Sequence, residues 1–286
     1  MTKDTVENVV YQCLIGDFGI KDAFEVIDAL YEYGYMSVSC AEKNRHWFVE
    51  VLNDEPINEL EIKAALGRFR YSFIKSDKLE NINWLKKCFE NFKPITVGSF
   101  YIYGPHLRKH DIPANKIPIE IAAATAFGTG EHPTTHNCLR ACETFFDYRK
   151  HKSILDIGCG SCILSIALAK LGARNITACD NDAEAVRVSN ENIVINKVAH
   201  RISVFQNETC EFANKTYDFI VANILAEPLI SMSEYVVKSL ADNGILVLSG
   251  FTYDDSSVRN KYLSLGLQLK FQYDLKEWTT LVFEKR

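Results

Sequence analysis

The stretch LDIGCGSCILSIALAKLGA, residues 155–173, decides the fold. A buried strand reads up to Asp156, Gly158 and Gly160 suit a sharp turn, and an amphipathic helix begins at once, so that backbone N–H groups face whatever lies in the crevice. Outward from it the pattern is regular. Strand 153–158 is followed by helix 162–172, strand 175–180 by helix 183–196, then a short strand 201–205. Strand 217–224 leads into helix 228–241, capped near Asn243-Gly244, and strand 245–251 into helix 255–266. The tightly joined 267–275 and 277–285 read as two antiparallel strands. Alternating strands and helices predict an α/β, doubly wound, mostly parallel sheet with helices on both faces and an antiparallel strand at one edge.

The first hundred residues have a different rhythm, strand, helix, two strands, helix, strand, which fits a smaller α+β, ferredoxin-like domain. Residues 83–105 add a helix and a strand, and Pro113 and Pro118 mark a connector. The expected organisation is a recognition domain over 1–104, a linker over 105–118 and the doubly wound domain over 119–286.

With 286 residues and 47% hydrophobic content, the chain can fill a substantial core. No basic cluster precedes an apolar core at the start, and no uncharged apolar run approaches the ~20 residues of a membrane span. A soluble, cytoplasmic protein is expected. The net charge of −5 is spread along the chain, 14 Lys+Arg against 17 Asp+Glu in residues 1–115 and 18 against 20 in the rest, so no basic stripe announces a nucleic-acid footprint. Nine cysteines without a secretory signal read as free thiols. Cys159-x-x-Cys162 lies inside the glycine loop and lacks a second pair at zinc-ribbon spacing.

Asp180 ends the next strand 22 residues after Gly158, where a carboxylate can accept from both hydroxyls of a ribose. The ligand should contain a nucleoside; a glycine turn that only packs helix on strand is the other reading. A dinucleotide would require glycine or alanine where the chain has Ile163. Asp156, two residues before the first glycine, suits an ammonium or sulfonium better than a phosphate. This points to S-adenosyl-L-methionine, with Asp156 toward its methionine end and Asp180 on its ribose.

AFGTGEHPTTH, residues 126–136, raises three readings. A Walker loop fails because no lysine follows Gly130, and a metal site fails because Pro133 follows His132 with no third ligand apparent nearby. What remains is a loop entering a helix, with Pro133 at the first helical position and Thr134 and Thr135 in the first turn. Those hydroxyls either meet the cofactor or cap the helix.

Together with CDNDAEAV, NENIVIN, DFIVANILAEPLI, LVLSGF and the terminal EWTTLVFEK, these stretches resemble the methyltransferases of large-subunit ribosomal protein eleven, the PrmA family. The likeness covers residues 120–286 in order and continues more loosely through 84–105. It implies a seven-stranded class I methyltransferase sheet, S-adenosyl-L-methionine as cofactor, and a cofactor set of Thr135, Gly158, Asp180 and Asn223, to which the loop reading adds Asp156 and Gly160. It implies a lid loop at Phe127, Gly128, Thr129 and Gly130, no metal, and an N-terminal domain that docks the ribosomal protein. A monomer without direct nucleic-acid binding is expected. Two departures stand out. Cys162 occupies the place of a usual third glycine and is expected to crowd the cofactor, and 119–128 lacks the aspartate-proline-glycine of many relatives. Enzymes that methylate adenine or glutamine amides commonly carry Asn/Asp-Pro-Pro-Tyr/Phe where this chain has Asn223-Ile224-Leu225-Ala226, so an aliphatic amine is the expected acceptor. Asn223 is expected to orient it, with no dedicated base. A nicotinamide-dependent oxidoreductase and a catalytically silent binding module are the rivals from other classes.

Overall fold

The computed structural model describes residues 10–31, 33, 35, 37–43, 46–53, 55–67, 69–79, 94–105, 107, 112–121, 132–207 and 215–286. The chain divides into two compact units, Met1–Lys87 and Cys88–Arg286. The expected lid loop, the helix expected near residue 85 and part of the 105–118 connector lie outside the described residues.

The first unit holds strands β1 (Val10–Phe18), β2 (Ser37–Lys43), β3 (His46–Asn53) and β4 (Phe73–Leu79), with helices at Ile20–Tyr31 and Glu59–Ala65. The strands pair antiparallel in the order β2-β3-β1-β4, the split-βαβ arrangement. Helical spacing brings Ala23, Val26 and Leu30 onto Cys13, Ile15, Val49 and Val51, and Ile62 and Leu66 close the same core from the second helix. Asn58 caps that helix, its side chain accepting from the Leu60 N–H at 3.0 Å.

The second unit carries a small sheet of β5 (Ile95–Val97), β6 (Phe100–Tyr103) and β7 (Ile117–Glu120). Its large sheet comprises β8 (Ile154–Ile157), β9 (Ile176–Asp180), β10 (Ile202–Gln206), β11 (Tyr217–Asn223), β12 (Leu240–Thr252), β13 (Gln268–Leu275) and β14 (Trp278–Glu284), ordered β10-β9-β8-β11-β12-β14-β13. Neighbours from β10 to β12 run parallel, and β14 runs antiparallel to both β12 and β13.

Alternation along these strands feeds two separate cores. Ile154, Phe219, Val221, Ile245, Val247 and Val282 join Cys138, Leu139 and Ile163 on one face. Leu155, Ile220, Ala222, Leu246, Leu248 and Phe283 meet Leu229, Val236, Val258 and Tyr262 on the other.

Three details differ from the sequence reading. The antiparallel strand sits one place in from the edge, because β14 buries Thr279–Phe283 and takes the interior position while β13 leaves Lys270, Phe271 and Asp274 exposed. The helix expected over 228–241 is two short helices, Ala226–Ser231 and Ser233–Ser239, and Asn243, at φ +61°, lies inside β12 rather than at a cap. The unit boundary also falls ahead of the prolines: Phe100, Ile102 and Ile119 share the core of Leu139 and Ile163. Prolines report local backbone limits, not whether the flanking segments share a core.

The small sheet is fastened to the helix Pro133–Phe145 by Glu143, whose carboxylate accepts from the Ser99 N–H at 2.9 Å. Gly98, at φ +54°, makes room for it; a Cβ there would stand 1.8 Å from Glu143 Oε2. Gly98→Ala should therefore lower the unfolding free energy by about 2 kcal/mol, through left-handed strain and displacement of the carboxylate. Urea unfolding with an unchanged m-value checks this, and a variant as stable as the parent overturns the account.

Candidate functional site

Strand order reverses between β8 and β11, and ligands of open α/β sheets bind beyond the carboxyl ends of the strands at such a point. There β8 leads into the glycine loop, β9 ends in Asp180 and β11 ends in Asn223. Gly158 at φ +68°, Gly160 at φ +51° and Cys162 at φ +66° bend the loop into the start of the helix Ile163–Lys170. The loop is strung to β9 and the following helix. Gly158 N–H and Cys159 N–H both donate to Cys179 O, at 2.8 and 3.0 Å, and Ser189 Oγ and Asn192 Nδ2 donate to Gly160 O and Ser161 O.

Asp180 locks this geometry. Its Oδ2 accepts from Gly160 N–H at 2.8 Å and its Oδ1 from Asp182 N–H at 3.1 Å, while the residue stays only partly buried. Asp182 in turn caps the helix Ala183–Ile195 through Glu184 N–H. Asn207 N–H donates to Asp180 O at 2.8 Å, which brings the chain after β10 to the same edge.

Asp156 is placed differently from the expectation that it faces a ligand's cationic end. It is buried, and its Oδ2 accepts from Ser165 N–H at 3.1 Å and Ser165 Oγ at 2.6 Å. The helix Ile163–Lys170 has no side-chain cap from its own N-cap residue, Cys162, so the carboxylate at the end of β8 supplies the missing acceptor. Strand parity explains the direction: Asp156 shares a face with Ile154, which packs toward the core below that helix. Burial raises its pKa to about 6 against the hydrogen bonds from Ser165, with the charge of Asp180 adding to the rise.

Thr135 is fully buried in the first turn of Pro133–Phe145, and its Oγ1 accepts from Asn223 Nδ2 at 3.3 Å. That contact turns Asn223 Oδ1 the other way, where it is buried with no hydrogen-bond partner among the described residues. Pro133 stands at the first helical position, but the cap is His132 rather than either threonine. Its Nδ1 accepts from Thr134 N–H and lies 2.7 Å from Thr134 Oγ1. Its ring meets Trp278 edge-on at 4.7 Å, and burial, reinforced by the charge of Lys276, lowers its pKa to about 4. His136 is half-buried.

Gly250, which the sequence reading did not single out, matters equally to Asn223. At φ +106° it allows the backbone of Ile224 to approach, where a Cβ would stand 2.1 Å from Ile224 O. The signal was its place one residue beyond Ser249, the β12 partner of Asn223. Cys162 does not crowd the crevice, since its side chain is fully buried in the core. Phe127, Gly128, Thr129 and Gly130 lie outside the described residues, so the structure brings together Thr135, Gly158, Gly160, Asp180 and Asn223.

These acceptors suit a nucleoside with an amino-acid tail. A partly exposed carboxylate stands where ribose hydroxyls can donate, the loop turns at positive φ with the Ile224 side chain filling the space beside Gly158, and a buried amide oxygen has no donor among the described residues.

Residues 48–286 match the family model described as ribosomal protein L11 methyltransferase (PrmA). The ribosomal protein L11 methyltransferase of Caulobacter sp. (strain K31) is 34% identical over 214 residues, 73% of this chain and 73% of that protein. Its counterpart in Listeria welshimeri is 35% identical over 222 residues, 77% of this chain and 69% of that protein. In fold, the chain is similar to the crystal structure of ribosomal protein L11 methylase from Lactobacillus delbrueckii subsp. bulgaricus. The TM-score is 0.62 at 24% identity, covering 68% of this chain and 100% of that one.

The Asp156 geometry gives a signed pH dependence. Its folded pKa, about 6, exceeds the reference value of 3.8, so the folded state binds the proton more readily and its contribution to stability is lost as pH rises through about 6. Asp156→Asn keeps an acceptor for Ser165 without the buried charge. It should be more stable than the parent at pH 8 by on the order of 2 kcal/mol, at ~1.4 kcal/mol per unit, and match it near pH 4. Chemical unfolding across that range is the measurement; a variant less stable at pH 8 would show that the helix needs the ionised carboxylate.

Proposed function

Because this chain belongs to the ribosomal protein L11 methyltransferase (PrmA) family, we propose that it transfers methyl groups from S-adenosyl-L-methionine to lysine side-chain amines, the α-amino group, or both, of ribosomal protein L11. The observation that carries the acceptor class is the buried, unpartnered Oδ1 of Asn223, held at the strand-order reversal by Thr135. An amide oxygen there accepts from an amine N–H and turns the nitrogen lone pair toward the crevice. The sequence after it, Ile224-Leu225-Ala226, supplies no aromatic lid for a planar nitrogen.

When bound, S-adenosyl-L-methionine supplies a methyl group activated on a sulfonium. The chain's own contribution is placement. Asp180, held by Gly160 N–H, would accept from the ribose hydroxyls, and Thr135 fixes which end of the Asn223 amide would face the acceptor. Neutralising a lysine of pKa ~10.4 at pH 7 costs about 4.6 kcal/mol, and desolvation in the crevice reduces that cost. Asp156 is engaged by Ser165 and Asp180 by two backbone N–H groups, so both serve geometry rather than proton removal. Among the described residues no side chain is assigned as a dedicated base.

The first unit docks the ribosomal protein, and the enzyme works in the cytoplasm as a monomer on the free protein or during assembly. A net charge of −5 favours a basic protein partner over direct nucleic-acid binding. Among the described residues no helix is long and apolar enough to cross a membrane.

The test is methyl transfer from labelled S-adenosyl-L-methionine to ribosomal proteins from cells lacking the activity, resolved by intact mass. A ladder of methyl additions confined to L11 is expected. Cofactor binding without added mass on L11 would remove the substrate assignment. Asn223→Ala should lower kcat/KM by roughly 10- to 100-fold, the effect of ~1.5–3 kcal/mol for a hydrogen bond to a charged or developing centre. The rate of the parent should climb with pH toward the amine pKa. A several-thousandfold loss on changing one titratable residue, with both ligands still bound, would reveal a base.

A further inference from the structure

Cys159 and Cys162 sit in one turn of the cofactor loop, and neither the glycine arch nor the methyl transfer uses their thiols. Cys162 N–H donates to Cys159 O at 2.7 Å, which closes the turn over the two cysteines, and both lie in the same buried cluster. Cys159 Sγ also lies 3.4 Å from Ser189 Oγ. A glycine at 162 would adopt φ +66° without a side chain; cysteine there gives Cys159 a partner across the turn.

We propose that Cys159 and Cys162 are an oxidisable dithiol whose reversible disulfide disables the cofactor loop. The inference rests on the assignment of Gly158 to Asp180 as the S-adenosyl-L-methionine site. Cys159 is 6% exposed and Cys162 0%, so Cys159 meets the oxidant first. Its sulfur attacks hydrogen peroxide, becoming a sulfenic acid with release of one water. Cys162 Sγ then attacks that sulfur, the S–O bond breaks, the disulfide forms and a second water leaves. In total two thiols give up two protons and two electrons, and peroxide becomes two waters. The contact with Cys162, together with burial, holds the Cys159 thiol well above its usual range. The reaction is therefore slow at neutral pH and quickens as pH rises.

Bond formation draws Cys159 Sγ away from Ser189 and tightens the segment that contains Gly160. Gly160 N–H holds Asp180 Oδ2 at 2.8 Å, and Gly160 O accepts from Ser189 Oγ at 2.8 Å. Both contacts set the carboxylate that receives the ribose, so the oxidised loop presents it wrongly.

The experiment uses the full chain, reduced or treated with hydrogen peroxide. S-adenosylhomocysteine affinity is measured alongside mass analysis of the alkylated tryptic peptide 153–170, which contains both cysteines. After peroxide that peptide should be lighter by two hydrogens and refuse alkylation, the affinity should fall at least tenfold, and dithiothreitol should restore both. Cys159→Ser and Cys162→Gly should each show no oxidant-dependent change in affinity, each judged against its own reduced form. A peptide that stays doubly alkylable, a disulfide mapped to other cysteines, or an oxidised chain that binds as tightly as the reduced one overturns the proposal while leaving the cofactor site intact. A reduced parent that fails to bind overturns the site assignment and this inference together.

Discussion

The hydrogen bond from Gly160 N–H to Asp180 Oδ2 ties together the two strand ends on which the site depends. Without it, the Asp180 carboxylate could turn away from the loop that β9 already holds through Cys179 O, and a ribose would have to orient it on binding. With it, the carboxylate is held before any ligand arrives, which lowers the ordering cost of association. Further bonds secure the same point, from Ser189, Asn192 and the backbone around Cys179. The backbone amide is available only because Gly158 and Gly160 accept positive φ.

Strand parity then distributes the chemistry. Asp156, Asn223, Ser249 and Thr280 project to the face that also receives the helix Pro133–Phe145, toward the carboxyl ends of the parallel strands. Ser249 and Thr280 satisfy each other at 2.7 Å, and Asp156 is satisfied by Ser165. Asn223 keeps one acceptor without a partner among the described residues at the end of this polar row. A buried, unsatisfied amide oxygen costs stability, and such costs persist where a ligand relieves them.

Much of this was legible in the sequence because it depends on local rules. Glycines that need positive φ, alternation that needs a core, and an acid at a strand end can be read from a few consecutive residues. The inward turn of Asp156 was not legible, because it depends on a helix that lacks its own cap and on Ser165 nine positions away. Nor was the affiliation of β5 and β6, which is decided by packing of Phe100 and Ile102 against residues far along the chain. His132 as the cap of the Pro133 helix escaped because threonine is the commoner capping type, and the contact with Trp278 that holds the ring lies 146 positions away. The interior place of β14 follows from its greater burial relative to β13, a comparison that alternation alone does not rank.

That last arrangement has a consequence for how the chain is made. β13 leaves the ribosome before β14, yet β14 is the strand that must lie against β12. Until it arrives, β12 has an open edge carrying Leu246, Val247 and Leu248, and β13 has no neighbour to pair with. The nascent chain thus passes through an interval in which an apolar strand is exposed beside the site, and pairing of β13 directly with β12 is a competing error. The short reversal at Lys276-Glu277 limits that interval, because it delivers β14 to the gap as soon as the last strand is free to fold back.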